Sequence, residues 1–358
     1  MTQETPLGGQ AGAPQPLPVV QPAKPIRRRG CLFWLFAFLA VVVLPICIVI
    51  IIGFVGALGS TLDTSIGPAE EVVRDEGGKE KIVIVSVSGI ISEQSVFMSG
   101  VAPIKEIAAQ LKQAREDDAV RAVILEVNSP GGGMTASDIL HRQITKTKDE
   151  DKKIVVLMTN TATSGAYYLS APADYIMAHP TTITGSIGVL ISSLNMEGLF
   201  QKIGLKDVTI KSGDKKDLLS PFRTMTEEER ALLQGIVDEM YERFLKVVAQ
   251  GRGMDIQKVR RLADGRIFTA KTAKKAGLID GIGYLEDAID KAKMLSGITK
   301  AKVVRYKKRW RLLEFMRRGA KKEPFDIRCL VWPGTPQPLY LWNVSEVAYL
   351  KANRLGSE

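Results

Sequence analysis

Three times in this chain an apolar run of strand length gives way to a stretch of glycine and other small residues, at Asn128–Gly133, Thr161–Leu169 and Thr184–Val189. Strand candidates fall at Ile82–Val87, Ala122–Val127, Ile154–Met158 and Val208–Ile210, and helical periods at Ile104–Arg115, Ala136–Lys148 and Glu227–Gln250. Such alternation predicts an α/β architecture with a largely parallel sheet. The last helix is the best signalled. Thr226 is its N-cap, Glu229 closes a capping box, Leu233, Ile236, Val237, Met240, Phe244 and Val248 form one stripe, and Gly251 is the expected stop.

Residues 1–30 are mostly Pro, Gly, Gln and Ala without apolar period and read as a disordered tail. Cys31 to Leu58 then runs without a charge, longer than the ~20 residues that cross a bilayer core, so 31–58 is expected to be a transmembrane helix. A cleaved secretory signal is the competing reading, against which stands the length of the run. Arg27, Arg28 and Arg29 precede the span, and Asp63, Glu70 and Glu71 follow it, which puts the N-terminus in the cytoplasm and the rest of the chain on the far side. Residues 59–80 read as a stem, 81–300 as the folded domain and 301–358 as a basic extension.

The net charge of +10 is local, since Lys300 to Lys322 carries eleven Lys or Arg against a single acid, Glu314. Interleaved with Trp310, Leu312 and Phe315, this stretch suits an amphipathic segment beside anionic lipid, or else a solvated basic helix, better than a nucleic-acid reader. Three cysteines, Cys31, Cys47 and Cys329, suit neither a disulfide framework nor a zinc site, and no metal or cofactor is expected.

The turn Ser129-Pro130-Gly131-Gly132-Gly133 follows a strand and opens a helix, so its backbone N–H groups can converge on a negative oxygen. It lacks the spacing of a dinucleotide fingerprint and the lysine of a P-loop, which favours an oxyanion hole over a phosphate site. One positive-φ turn would explain a single glycine more readily than three. Ser164, in a small-residue strand-to-helix junction, is a candidate nucleophile with the next N–H available to an oxyanion; the ordinary alternative is an N-cap serine. Thr184–Val189 reads as a close backbone approach or a strand able to pair with an extended peptide near Gly188. Of the two histidines, His141 sits in a helical segment and His179 before Pro180, and both read as packing or surface residues. A lysine whose ammonium is disfavoured by burial can replace histidine as base, and Lys211, Lys215 and Lys216 share one loop.

These stations together resemble the signal peptide peptidase A (SppA) family of membrane-anchored serine peptidases, over about Ile82 to Ala292. The motifs that carry the likeness are Ser129–Gly132, Ser-Gly-x-Tyr-Tyr at Ser164–Tyr168, Thr184–Val189, the Lys211–Pro221 loop, Asp264–Arg266, Ala276–Asp280 and Gly283-Tyr284. The resemblance implies a fold like the Clp protease subunit and the crotonases, built from repeated ββα units. It also implies a Ser–Lys dyad in which Ser164 matches the nucleophile and Lys216 the general base, with Lys215 adjacent. Gly132 and Gly165 match the oxyanion donors, and Gly131, Gly133 and Gly188 are expected to contact substrate. Ala166 stands where the family commonly has a second glycine. In short members the dyad is implied to meet across neighbouring protomers of a homo-oligomeric ring, at a bacterial inner membrane, acting on signal peptides or short unfolded segments.

Two other readings compete. A crotonase-type acyl-thioester enzyme would use a similar glycine turn but needs acids beside it, and a non-catalytic membrane scaffold would keep the fold without turnover.

Overall fold

The computed structural model describes residues 38–51, 69–93, 101–307 and 339–341 of the 358-residue chain, which divides into two units, Met1–Ile66 and Gly67–Glu358. The first is described over a π-helical segment, Leu39–Val43, that continues as helix through residue 51. Its apolar side chains are exposed, Val41, Leu44 and Val49 among them. No helix among the described residues is long and apolar enough to cross a membrane. Most of the expected span, all of the N-terminal tail and most of the basic extension lie outside the described residues.

In the second unit the chain runs through β1 (Ala69–Asp75), β2 (Lys81–Ser88), β3 (Ile90–Ser92), β4 (Val101–Pro103), α1 (Ile104–Glu116), β5 (Val120–Ser129), β6 (Gly131–Gly133) and α2 (Met134–Asp149). It continues through β7 (Lys153–Thr163), α3 (Gly165–Ser170), β8 (Tyr175–Ala178), β9 (Ile183–Gly185), α4 (Glu197–Lys202), α5 (Glu227–Arg252) and α6 (Ile256–Leu262). Last come β10 (Ile267–Thr269), α7 (Ala270–Ala276), β11 (Gly281–Ile282), α8 (Leu285–Ser296), β12 (Lys302–Lys307) and β13 (Leu339–Leu341). The main sheet has the order β1-β12-β2-β5-β7-β8-β11, parallel from β12 to β11, with β1 antiparallel at one edge.

The central strands read as unbroken apolar runs because both faces of the sheet are covered. Val83, Val123, Leu125 and Val156 share one core with Leu111 of α1, Leu140 of α2 and Phe244 of α5. Ile82, Ile84, Ile124 and Val155 share the other with Ala288, Ile289 and Ala292 of α8. Each such aliphatic side chain contributes about 1.5–3 kcal/mol when fully buried, so this alternation sets the register.

The structure departs from expectation in several places. Residues 69–75, read as stem, and 302–307, read as basic extension, form strands of the main sheet on either side of the expected 81–300. Val208–Ile210 is not a strand: Val208 is 80% and Ile210 98% exposed, and no strand among the described residues pairs with them. The stripe of α5 is buried only toward its C-terminus, at Phe244 and Val248, while Ile236 is exposed. Finally, Gly251 does not stop α5. The helix runs to Arg252 and ends on Gly253 at φ 58°. Gly251 is needed for packing instead, because a Cβ there would lie 2.3 Å from the Ala171 carbonyl oxygen at the end of α3.

Gly251→Ala is therefore expected to destabilise the fold by about 1–3 kcal/mol, the range for overpacking. Gly235→Ala, at a helical position with nothing within 4 Å of the added Cβ, is expected to stabilise by roughly 0.5–1 kcal/mol through helix propensity. Urea denaturation midpoints of the two variants check both signs.

Candidate active site

Strand β7 ends at Thr163 and α3 starts at Gly165, which leaves Ser164 alone at the joint with φ 55° and ψ −117°. A non-glycine residue adopts such a conformation only when its surroundings impose it. Here the Ser164 N–H donates to the Gly185 carbonyl at 2.8 Å, and the Ser164 carbonyl accepts from the Tyr168 N–H at 2.9 Å. Ser164 stands at the N-cap position and is only 1% exposed, yet its side chain makes no capping hydrogen bond. The ordinary reason for a serine at a strand end is therefore absent. The next N–H, on Gly165, belongs to the first helical residue and has no intrahelical acceptor.

The tyrosines of the same motif fix α3 in place. Tyr167 is fully buried and donates to the Leu278 carbonyl at 2.8 Å. The Tyr168 hydroxyl donates to Asp138 of α2 at 2.6 Å, and Arg243 of α5 donates to the same carboxylate oxygen. Ala166, the departure from the family pattern, is buried in the core with its methyl packed.

The glycine-rich turn proves to be a short strand. β6 pairs with β3 in parallel and with β13 antiparallel, in a small sheet of order β13-β6-β3-β4. Two of the three glycines have separate steric reasons. Gly131 holds φ +103°, whereas a Cβ on Gly132 would lie 2.1 Å from the Ile91 carbonyl oxygen. A Cβ on Gly133 would make only ordinary contacts, at 3.7 Å from the Ala136 Cβ and the Ile91 carbonyl oxygen, and this glycine stands at the N-cap of α2. The Thr163 hydroxyl donates to the Pro130 carbonyl at 3.1 Å and ties this strand to the residue before Ser164; β6 also packs on α3.

At the third station the close approach lies at Gly185, whose φ is +88° and whose Cβ would lie 2.5 Å from the Phe268 ring. Gly188, beyond the end of β9, is half-exposed in a stretch outside any strand. The histidines are engaged elsewhere: His141 packs its ring on Tyr168, and His179 contacts Thr181 through Nδ1 at 2.8 Å.

The lysine loop separates its three candidates. Lys211 donates to Asp217 at 2.8 Å, and Lys215 donates to Glu228, a bond that raises the Lys215 pKa and holds it protonated. Lys216 is exposed, its backbone N–H donates to Gly213, and its amine makes no hydrogen bond or ion pair with a described residue. Within one chain no hydrogen bond joins Lys216 to Ser164 among the described residues.

The sequence profile described as peptidase family S49 matches residues 146–299. A protein of Enterococcus faecium assigned as signal peptide peptidase SppA is 45% identical over 241 residues, covering 66% of this chain and 70% of its own length. A protein of Methanocaldococcus jannaschii assigned as a protease is 38% identical over 270 residues, 74% of this chain and 85% of that one. The chain belongs to peptidase family S49. It is a serine-type peptidase of the SppA kind. The chloroplastic serine protease SPPA of Arabidopsis thaliana is similar as well, at 35% identity over 62% of this chain and 33% of its own length.

One element of this S49 chain escaped the sequence reading. Arg223 donates to both carboxylate oxygens of Asp217, the neighbour of Lys216, at 2.8 Å each, and to both oxygens of Glu229 at 2.9 and 2.6 Å. Glu229, legible only as a capping residue, is thus also the anchor that joins the lysine loop to the start of α5. The sole signal was an arginine six residues from each acid. Arg223 holds the Asp217 carboxyl well below the usual carboxylate range, with Lys211 assisting. Arg223 and the Thr226 N–H together bring Glu229 from 4.5 down to about 2.

A depressed carboxyl pKa stabilises above its unfolded value and loses that contribution as pH falls through the folded value. Arg223→Ala is therefore expected to lower the denaturation midpoint at pH 7, and the gap from the unsubstituted chain should close as the pH drops from 4.5 toward 2. A gap independent of pH over that window would show that Arg223 acts by packing alone.

Proposed function

We propose that this S49 chain is a membrane-tethered endopeptidase that cleaves signal peptides or short unfolded apolar segments, with Ser164 as nucleophile and Lys216 as general base. The observation that carries this reading is Ser164 itself, buried in a positive-φ joint with a side chain that caps nothing. The Ser164 hydroxyl attacks a peptide carbonyl while the neutral Lys216 amine takes its proton. The resulting oxyanion is held by the N–H groups of Gly165 and Gly132, the amine returns the proton to the leaving nitrogen, and water resolves the acyl-enzyme. Gly131, Gly133 and Gly188 line the extended substrate.

The base arrives from a neighbouring protomer of a ring. Three features support this: Lys216 is exposed in its own chain, residues 201–214 are exposed throughout, and Val208, Ile210, Leu199 and Ile203 leave apolar surface in water. Covering that loop would strip water from the amine and favour its neutral form. The tether is the uncharged run 31–58, whose described part, 38–51, is helical with its apolar side chains outward. With the arginines on its amino side, the run places the peptidase domain outside the cytoplasm. In this reading residues 81–300 are the core of the catalytic domain.

Ser164→Ala and Lys216→Ala should each lower hydrolysis of a labelled apolar peptide by at least about 10³-fold, whereas Lys215→Ala should keep turnover. Loss of activity in Lys215→Ala alone would move the base to that residue. Mixing the two dead variants before assembly should restore about a quarter of the sites, because a heterologous ring then pairs an intact serine with an intact lysine at one interface in four. No recovery, with mixed rings verified by mass, would put both groups in one chain. The full-length protein is expected to stay in the membrane fraction through an alkaline carbonate wash; its release would remove the tether.

A further inference from the structure

The two proposed oxyanion donors sit on different elements, Gly132 on β6 and Gly165 at the start of α3. Two cross-links join those elements, one on either side of the pair. On the N-terminal side Thr163, two residues before Gly165, donates at 3.1 Å to the carbonyl of Pro130, two residues before Gly132. On the C-terminal side Tyr168, three residues after Gly165, donates at 2.6 Å to Asp138, six residues after Gly132 on the helix that follows β6. Asp138 carries a second bond, because Arg243 of α5 donates to the same oxygen at 2.6 Å. Burial alone would raise the Asp138 carboxyl, but the Tyr168 and Arg243 donors outweigh it and hold the group below its ordinary value. At neutral pH Tyr168 therefore meets a carboxylate, and the bond is of the stronger, charge-assisted kind.

We propose that Asp138 is a positioning residue for the peptidase reaction, setting together with Tyr168 the separation between the Gly132 and Gly165 N–H groups. The inference rests on the oxyanion assignment above and gives a role in it to a residue that touches neither nucleophile nor donor. Helix α3 has six residues, too few to hold a direction by its own hydrogen bonds. Tyr167 fastens it to the Leu278 carbonyl, which fixes its depth in the domain without reference to β6. Asp138 supplies that reference, because α2 starts at Met134 as the direct continuation of β6. With the Thr163 link alone the two donors could open about it as about a hinge; the Tyr168–Asp138 link closes the frame. Arg243 keeps the half-buried carboxylate on Tyr168 rather than turned to water. Both donors must reach one oxygen at hydrogen-bond distance, and a misplacement of about 1 Å can cost about 100-fold in rate. Because β6 still packs on α3 when the link is cut, a smaller displacement and a loss of about tenfold are expected.

Tyr168→Phe isolates the link, since the ring that packs on His141 at 5.3 Å and on Phe244 at 5.1 Å stays and only the hydroxyl goes. In the full chain, Tyr168→Phe and Asp138→Ala should each lower kcat for an apolar reporter peptide about tenfold while KM stays within about twofold. The double variant should lose no more than either single one, because both remove the same link. Asp138→Asn keeps an acceptor for Tyr168 and should retain kcat within about threefold. A second readout needs no peptide: labelling of Ser164 by a fluorophosphonate, whose phosphoryl oxygen takes the oxyanion position, should slow in step with kcat. A Tyr168→Phe chain that melts earlier yet keeps kcat and labelling rate would overturn the inference and leave Asp138 a packing role. A loss confined to KM, or a loss of about 100-fold in the double variant, would overturn it too. Failure of the site reading looks different: the unsubstituted chain would neither hydrolyse peptide nor take the label, or labelling would survive Ser164→Ala, and the positioning role would fall with it.

Discussion

A serine backbone held at φ 55° and ψ −117° costs about 1–3 kcal/mol, and the site depends on that conformation not relaxing. Its supports come from well-separated parts of the chain. Gly185 supplies the acceptor for the Ser164 N–H, Leu278 the acceptor for Tyr167, Asp138 the acceptor for Tyr168, and Pro130 the acceptor for Thr163. This explains why motifs with no chemistry of their own accompany the serine. The glycine at 185 gives its carbonyl the required direction at positive φ, and the Gly277-Leu278 turn is where the buried tyrosine ends. A relaxed joint would swing Ser164 and the Gly165 N–H together, so the proposed nucleophile and the proposed oxyanion donor are positioned by a single set of contacts.

How much of this was legible in the sequence follows from the range of each interaction. The strands at Ile82, Ala122 and Ile154 could be read because burial on both faces leaves an unbroken apolar run. The Thr226–Glu229 capping box could be read because it closes within one turn. Gly251 could not, since what it makes room for, the Ala171 carbonyl, is remote in sequence, and its position near a helix end mimics a stop signal. Val208–Ile210 misled for a different reason: its apolar residues suit a strand, yet the segment lies exposed outside any strand. β6 was read as a turn because glycine weakens strands. Its pairing is dictated by the close approach to Ile91 and by residues 339–341, neither visible from the local pattern.

The loop that carries Lys216 shows how a rigid reach can be built on a surface segment. Most of residues 201–214 contact little, but the Asp217–Arg223–Glu229 cluster fastens the base of the loop to the capped end of α5. Glu229 is 2% exposed and shared between the helix cap and Arg223, so helix start and loop anchor form one unit. A lysine presented from such an anchor can be delivered to a neighbour in a defined orientation. In the proposed reading, a lone subunit would lack a base beside Ser164. Assembly would then be the activating step of that reading, with desolvation of the incoming amine as its chemical content.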